Sequence, residues 1–133
     1  MPETETFTQK IILPTTAIDA YECFMDERKL ASYTAMPAHI VAQEHTQFVA
    51  FDNLVMGEII LLERGKKIVK RWKADLPEWP SNHFSEVVLL FEDTINGCNA
   101  TLIHSDVPTA LITYMQAWWH RHCWEPLMYY LER

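Results

Sequence analysis

Residues 66–93, KKIVKRWKADLPEWPSNHFSEVVLLFED, hold two tryptophans, two prolines and a histidine between two runs that alternate with a period of two. Alternation of that kind predicts half-buried β-strands. A hairpin needs only two or three turn residues, often Asn-Gly or Asp-Gly. The link carrying Pro77, Trp79, Pro80 and His83 is longer, stiffer and more aromatic than that. The segment therefore reads as strand, rigid loop, strand. On its first strand the period sets Lys67 and Arg71 on one face, and Lys66, Lys70 and Trp72 on the other. The tryptophan face is expected to turn inward, which leaves Lys67 and Arg71 outside.

The flanking sequence repeats the pattern. TQFVAFD (46–52), VMGEIILLE (55–63) and CNATLIHS (98–105) alternate, and FTQKIILP (7–14) is a strand stopped by Pro14. Asp52-Asn53, Arg64-Gly65 and Asn96-Gly97 mark connections, the last predicting a type I′ turn. Thr16 can cap a short helix whose stripe is Ala17, Ala20, Tyr21 and Phe24, and Asp26 can cap a second carrying Leu30 and Tyr33. The longest helical pattern is C-terminal. Leu111, Met115, Trp118 and His122 form one stripe, and Trp124, Leu127, Met128 and Leu131 form another further along, with a bend expected near Glu125 because Pro126 lacks a donor. The order predicts an α+β domain: a curved antiparallel sheet of about six to seven strands wrapped around a long C-terminal helix, with two short helices after the first strand.

A length of 133 residues and 49% hydrophobic content predict one folded domain over 1–133, with residues 1–6 a short flexible arm. Eleven basic against eighteen acidic side chains give a net charge of −7, the wrong sign for a general nucleic-acid or anionic-membrane binder. No apolar run approaches the ~18 residues of a membrane span, and MPETETFTQK lacks the basic and apolar regions of a secretory signal. Cys23, Cys98 and Cys123 are odd in number and far apart, as expected of reduced thiols in a cytoplasmic protein.

Arg64, Lys66, Lys67, Lys70, Arg71 and Lys73 place six of the eleven Lys/Arg residues within ten positions. Such a cluster is either a solvated face or a docking strip for an acidic partner, and Lys66, Lys67, Arg71 and Lys73 are its candidate members. In the loop, Trp79 and His83 cover the end of the sheet, form a rigid tip that a partner reads, or do both. His104 shares the inward face with Leu102, as a hydrogen-bonded core histidine or a polar anchor in a ligand cavity. Such a cavity would have Ile60, Trp72, Val87, Leu89 and Met115 as its walls beside His104. In HRHC (120–123) only His120 and Cys123 share a helical face, and two ligands do not make a metal site. With no nucleophile, phosphate-loop or metalloprotease motif, neither enzymatic chemistry nor a cofactor is expected.

Residues 68–93 also resemble a signature of the activators of the ninety-kilodalton heat-shock chaperone's ATPase. The resemblance rests on Trp72-Lys73, Trp79-Pro80 and His83-Phe84, followed by Val87, Leu89 and Phe91. It extends from about Phe7 to Leu131 through FVAFDNLVMGEI, IHSDVP and AWWHRHCWEP. Lys73 stands where an arginine is usual, and the two are not equivalent in bidentate pairing. The resemblance implies a helix-grip, START-like domain and a co-chaperone that binds the chaperone and favours its closed state. It covers no counterpart of the N-terminal domain of full-length co-chaperones, so weak affinity and partial stimulation are expected. A carrier of a small apolar ligand in a cavity between sheet and helix is the alternative.

Overall fold

A computed structural model describes residues 3–132. Six strands form one antiparallel sheet: β1 (Thr4–Leu13), β2 (Gln47–Ala50), β3 (Val55–Glu63), β4 (Lys67–Ala74), β5 (Ser85–Thr94) and β6 (Gly97–Pro108), in the order β1-β6-β5-β4-β3-β2. Helices α1 (Ala17–Met25) and α2 (Glu27–Thr34) lie between β1 and β2 in the chain. After β6, a 3₁₀ turn (Thr109–Leu111) leads into α3 (Ile112–Trp119), a π-helical turn (His120–Trp124) and α4 (Glu125–Glu132), end to end. Part of the expected flexible arm, residues 1–6, is instead strand. Thr4 and Glu5 already pair with Pro108 and Val107, while residues 1 and 2 lie outside the described residues.

Local chemistry accounts for the helix starts. The Thr16 side chain accepts from Asp19 N, and the Asp26 carboxylate accepts from Arg28 N and Lys29 N. Each cap satisfies orphan donors and is worth about 1 kcal/mol. Asp93 Oδ1 accepts from Ala17 N at 2.7 Å and fixes the start of α1 to the end of β5.

The alternation of β4 is as expected. Ile68, Lys70, Trp72 and Ala74 are buried, and Lys67, Val69, Arg71 and Lys73 face outward. On β3 the period breaks. Ile59 pairs with Lys70 and Leu61 with Val69, so Ile60 is the extra residue of a β-bulge. Gly57 marks a close approach of strands, since a Cβ there would stand 1.8 Å from the Arg71 carbonyl oxygen.

Two turns differ from expectation. The β5–β6 hairpin forms with Thr94 opposite Gly97, but Asn96 does not take the positive φ that a type I′ turn demands. Consecutive left-handed residues occur instead at Phe51, Asp52 and Asn53, with φ of 54°, 54° and 66°. In the C-terminal helix the irregularity falls before Pro126, as a π turn rather than a simple bend. Glu125 N bonds the His120 carbonyl five residues back, which relaxes the ladder where proline would collide with it.

Candidate functional site

The centre of the molecule is a polar chain inside an aromatic core. His104 on β6 is fully buried. Its Nδ1 accepts from Trp119 Nε1 at 3.0 Å, and its Nε2 lies 2.8 Å from Ser85 Oγ. An indole N–H can only donate, so the histidine proton sits on Nε2 and points at Ser85. Ser85 Oγ then donates to the Trp72 carbonyl at 3.2 Å. Burial, reinforced by the positive charge of Lys70, lowers the His104 pKa to about 3 and keeps the ring neutral. His104 is thus a satisfied core histidine.

The other expected cavity walls close on one another. Trp72, Val87, Leu89 and Met115 are fully buried, and Trp72 stacks on Trp119 with centroids 5.9 Å apart. Ile60 does not join them. The bulge turns it out of the inner face, and Ile59 takes the core position. The internal cavity beside Trp72 measures about 10 Å³, room for about one water.

The loop after β4 is a packed cover. Trp79 is 7% exposed, its ring 5.9 Å from that of Trp72, and its Nε1–H donates to the His83 carbonyl at 2.8 Å. His83 Nε2–H in turn donates to the carbonyl of Asp106, a left-handed residue at the bulge of β6, at 2.7 Å. Trp79 thus packs as a cover over the end of the sheet, and His83, half-buried, is tied to β6 through its Nε2. Pro77, Glu78, Ser81 and Asn82 form the exposed side of the loop.

Outside the sheet, Arg71 and Lys73 converge on one aromatic ring. The Arg71 guanidinium carbon lies 4.3 Å from the Phe84 centroid and Lys73 Nζ lies 5.7 Å from it. Both are within cation–π range. Arg71 and Phe84 border a groove of about 330 Å³ that also includes His39, Val49 and the half-exposed Met56. Lys67 lies on the same outer face, further along β4. Lys66 sits in the β3–β4 turn and lines a different groove with Lys10 and Leu90. The structure thus unites Arg71 and Lys73, keeps Lys67 in line and leaves Lys66 apart. Phe84 and Met56 escaped the sequence reading, although the His83-Phe84 pair carried the signal for one of them.

The HRHC segment does not converge. Cys123 is in the core and His120 is exposed, because the π turn resets the helical phase. Burial raises the pKa of the Cys23 thiol to about 11 and that of Cys123 to about 12, so both stay protonated.

A curved antiparallel sheet gripping a long C-terminal helix, with two short helices after its first strand, defines a helix-grip, START-like protein. The chain belongs to the Activator of Hsp90 ATPase homolog 1-like protein family, whose family model matches residues 14–132. It is 25% identical over 121 residues to the activator of 90 kDa heat shock protein ATPase homolog 2 of Mus musculus, covering 91% of this chain and 36% of that protein. Across the curated relatives it matches, it spans 27% to 36% of their length. The crystal structure of an HSP90 activator from Plasmodium falciparum superposes with a TM-score of 0.84 at 17% identity, covering 97% of this chain and 96% of that one. A protein of the dynemicin biosynthetic locus has the same fold with a TM-score of 0.78 at 16% identity, covering 96% of this chain and 47% of that one.

Proposed function

We propose that this chain is a co-chaperone-like protein that binds the 90-kDa heat shock chaperone and stimulates its ATPase in the cytoplasm. Family membership supports the class of partner. The observation that carries the reading is the outward cationic–aromatic strip, with Arg71 and Lys73 held over Phe84 beside the Met56 groove. A rigid ring flanked by two cations matches an acidic surface with an apolar residue at its centre, and the cations speed and orient encounter. The chain contributes binding energy and no catalytic group. By binding the closed chaperone better than the open one it shifts population toward hydrolysis.

Calorimetric titration into the chaperone of the same organism, with hydrolysis rates measured in parallel, tests this. Binding with partial stimulation is expected. The Arg71→Gln, Lys73→Gln double variant should associate more slowly and with weaker salt dependence, while its melting temperature stays close to wild type. Absence of both heat and stimulation would refute the proposal. Stimulation that is indifferent to the double variant would move the contact away from this strip.

A further inference from the structure

Arg71 holds a guanidinium whose donors are nearly unspent. Among the described residues its one ion pair is with Glu58 Oε1 at 3.7 Å, beyond hydrogen-bond distance, and it makes no hydrogen bond. Arg64, the other arginine of the basic cluster, spends its own on Glu22 at 3.4 Å. A guanidinium carries its N–H donors in a rigid fork that matches a carboxylate. In register, Arg71 lies between Glu58 on β3 and Glu86 on β5. Glu86 is outside ion-pair distance, so Glu58 alone reaches toward the fork, and it does so through one oxygen. Both members of that pair are partly exposed, and such a pair adds little to stability. The position of Arg71 is nevertheless confined. Its guanidinium carbon sits 4.3 Å from the Phe84 centroid, which reduces the ordering cost of a later contact.

An apolar slot opens beside this fork. Val49, Met56 and Phe84 line the groove of about 330 Å³, and both members of the ion pair border it. Met56 is 44% exposed and faces outward. It pairs with Lys73 across β3 and β4, while Glu58 pairs with Arg71. Met56 and Arg71 are therefore diagonal neighbours on the outer face, about 7–8 Å apart. An extended chain repeats its side chains on one face at about 7 Å, which matches that diagonal. A docked helix presents a row of anchors along its face. The charged pair bordering this groove leaves room for one apolar side chain, not for a row.

We propose that this groove takes an extended acidic segment of the partner, with a glutamate or aspartate two residues from a leucine-like side chain. The carboxylate replaces Glu58 on the Arg71 fork, and the apolar side chain seats between Val49, Met56 and Phe84. Glu58 is then an internal placeholder, and a segment that offers only an apolar side chain fails to displace it. Lys73, 5.7 Å from the same ring and with no carboxylate in ion-pair range among the described residues, favours further acidic residues alongside. The inference rests on the co-chaperone reading for the identity of the partner, whereas the slot belongs to this chain alone.

Titration of the peptide acetyl-Leu-Ser-Glu-Ser-Leu-amide into the full chain, read by calorimetry and by the Met56 methyl resonance, tests the slot without the chaperone. The peptide has an apolar residue two positions to either side of its only carboxylate, so its direction does not matter. Saturable binding that shifts the Met56 resonance is expected. Glutamine in place of the peptide's glutamate should weaken it at least about tenfold, because the charge-assisted fork is lost. Arg71→Lys should weaken the glutamate peptide about fivefold or more, since an ammonium cannot pair bidentately. Glu58→Gln should tighten it about two- to fivefold by removing the internal competitor, at an unchanged melting temperature. No saturable binding, equal affinity for the two peptides, or a Glu58→Gln variant that binds no more tightly overturns the proposal. A chain that stimulates the chaperone yet ignores the peptide refutes this slot alone. One that takes up the peptide as described but not the chaperone upholds the slot and refutes the co-chaperone reading.

Discussion

The Trp119 indole donates to His104 Nδ1 at 3.0 Å, and this hydrogen bond joins the inner face of β6 to the C-terminal helix. Trp119 also stacks on Trp72, whose carbonyl ends the same polar chain. Helix docking and histidine tautomer are therefore set together.

That coupling gives a pH signature. The folded His104 pKa of about 3 lies below the ordinary 6.5, so between those values the unfolded chain binds a proton that the folded chain refuses. Its contribution to stability is complete above pH 6.5 and is lost as pH falls toward 3. In urea unfolding between pH 7 and pH 4, wild type should lose on the order of 3 kcal/mol more than His104→Gln. Equal losses would show that His104 does not titrate this way. Trp119→Phe should cost about 1–3 kcal/mol at pH 7, because Nδ1 is left without a donor.

Lys70 gives the complementary test. Its folded pKa of about 8 lies below the ordinary 10.5, so the unfolded chain holds the proton more strongly between those values. The folded state thus carries a penalty below pH 8 that disappears as pH rises toward 10.5. Lys70→Met should be more stable than wild type by about 1–3 kcal/mol at pH 7, with the gap narrowing from pH 8 upward and nearly closed by pH 10.5. Denaturant titrations at the two pH values measure it, and a destabilised variant at pH 7 would show that the buried amine is satisfied within the fold.

Gly57→Ala probes the sheet. The added carbon would collide with the Arg71 carbonyl, and Phe48 Cε1 would lie only 3.1 Å from it. Backbone on one side and a buried ring on the other leave little room to relax. A loss of about 3 kcal/mol is expected, read as a lower urea midpoint. An unchanged midpoint would mean that β3 and β4 separate locally at little cost.

Periodicity made much of this structure legible. It set Trp72 inside and Lys67 and Arg71 outside on β4, and Thr16 and Asp26 announced both short helices by their cap chemistry. It failed where an extra residue enters an element. The bulge exchanged Ile60 for Ile59, and the π turn separated His120 from Cys123. Both insertions depend on tertiary fit, which local pattern does not encode. The burial of Lys70 was hidden for another reason. Its face was legible beside Trp72, but lysine stems commonly run along apolar surface to bring their charge to water. Trp79 was legible as a loop cover, and its bond to His83 with the His83–Asp106 contact shows how that cover is held.

The tryptophans form a connected optical unit. Trp72 lies within 6 Å of Trp79, Trp118 and Trp119, and Trp119 reaches Trp124 at 6.2 Å, so all five indoles of the chain are linked. They come from β4, the loop after it and the C-terminal helix, segments far apart in sequence. Excitation absorbed by any of them migrates through the set before it is emitted. Intrinsic fluorescence will therefore report one collective event, the seating of the helix on the sheet. Local fluctuations at a single indole will be averaged over its neighbours.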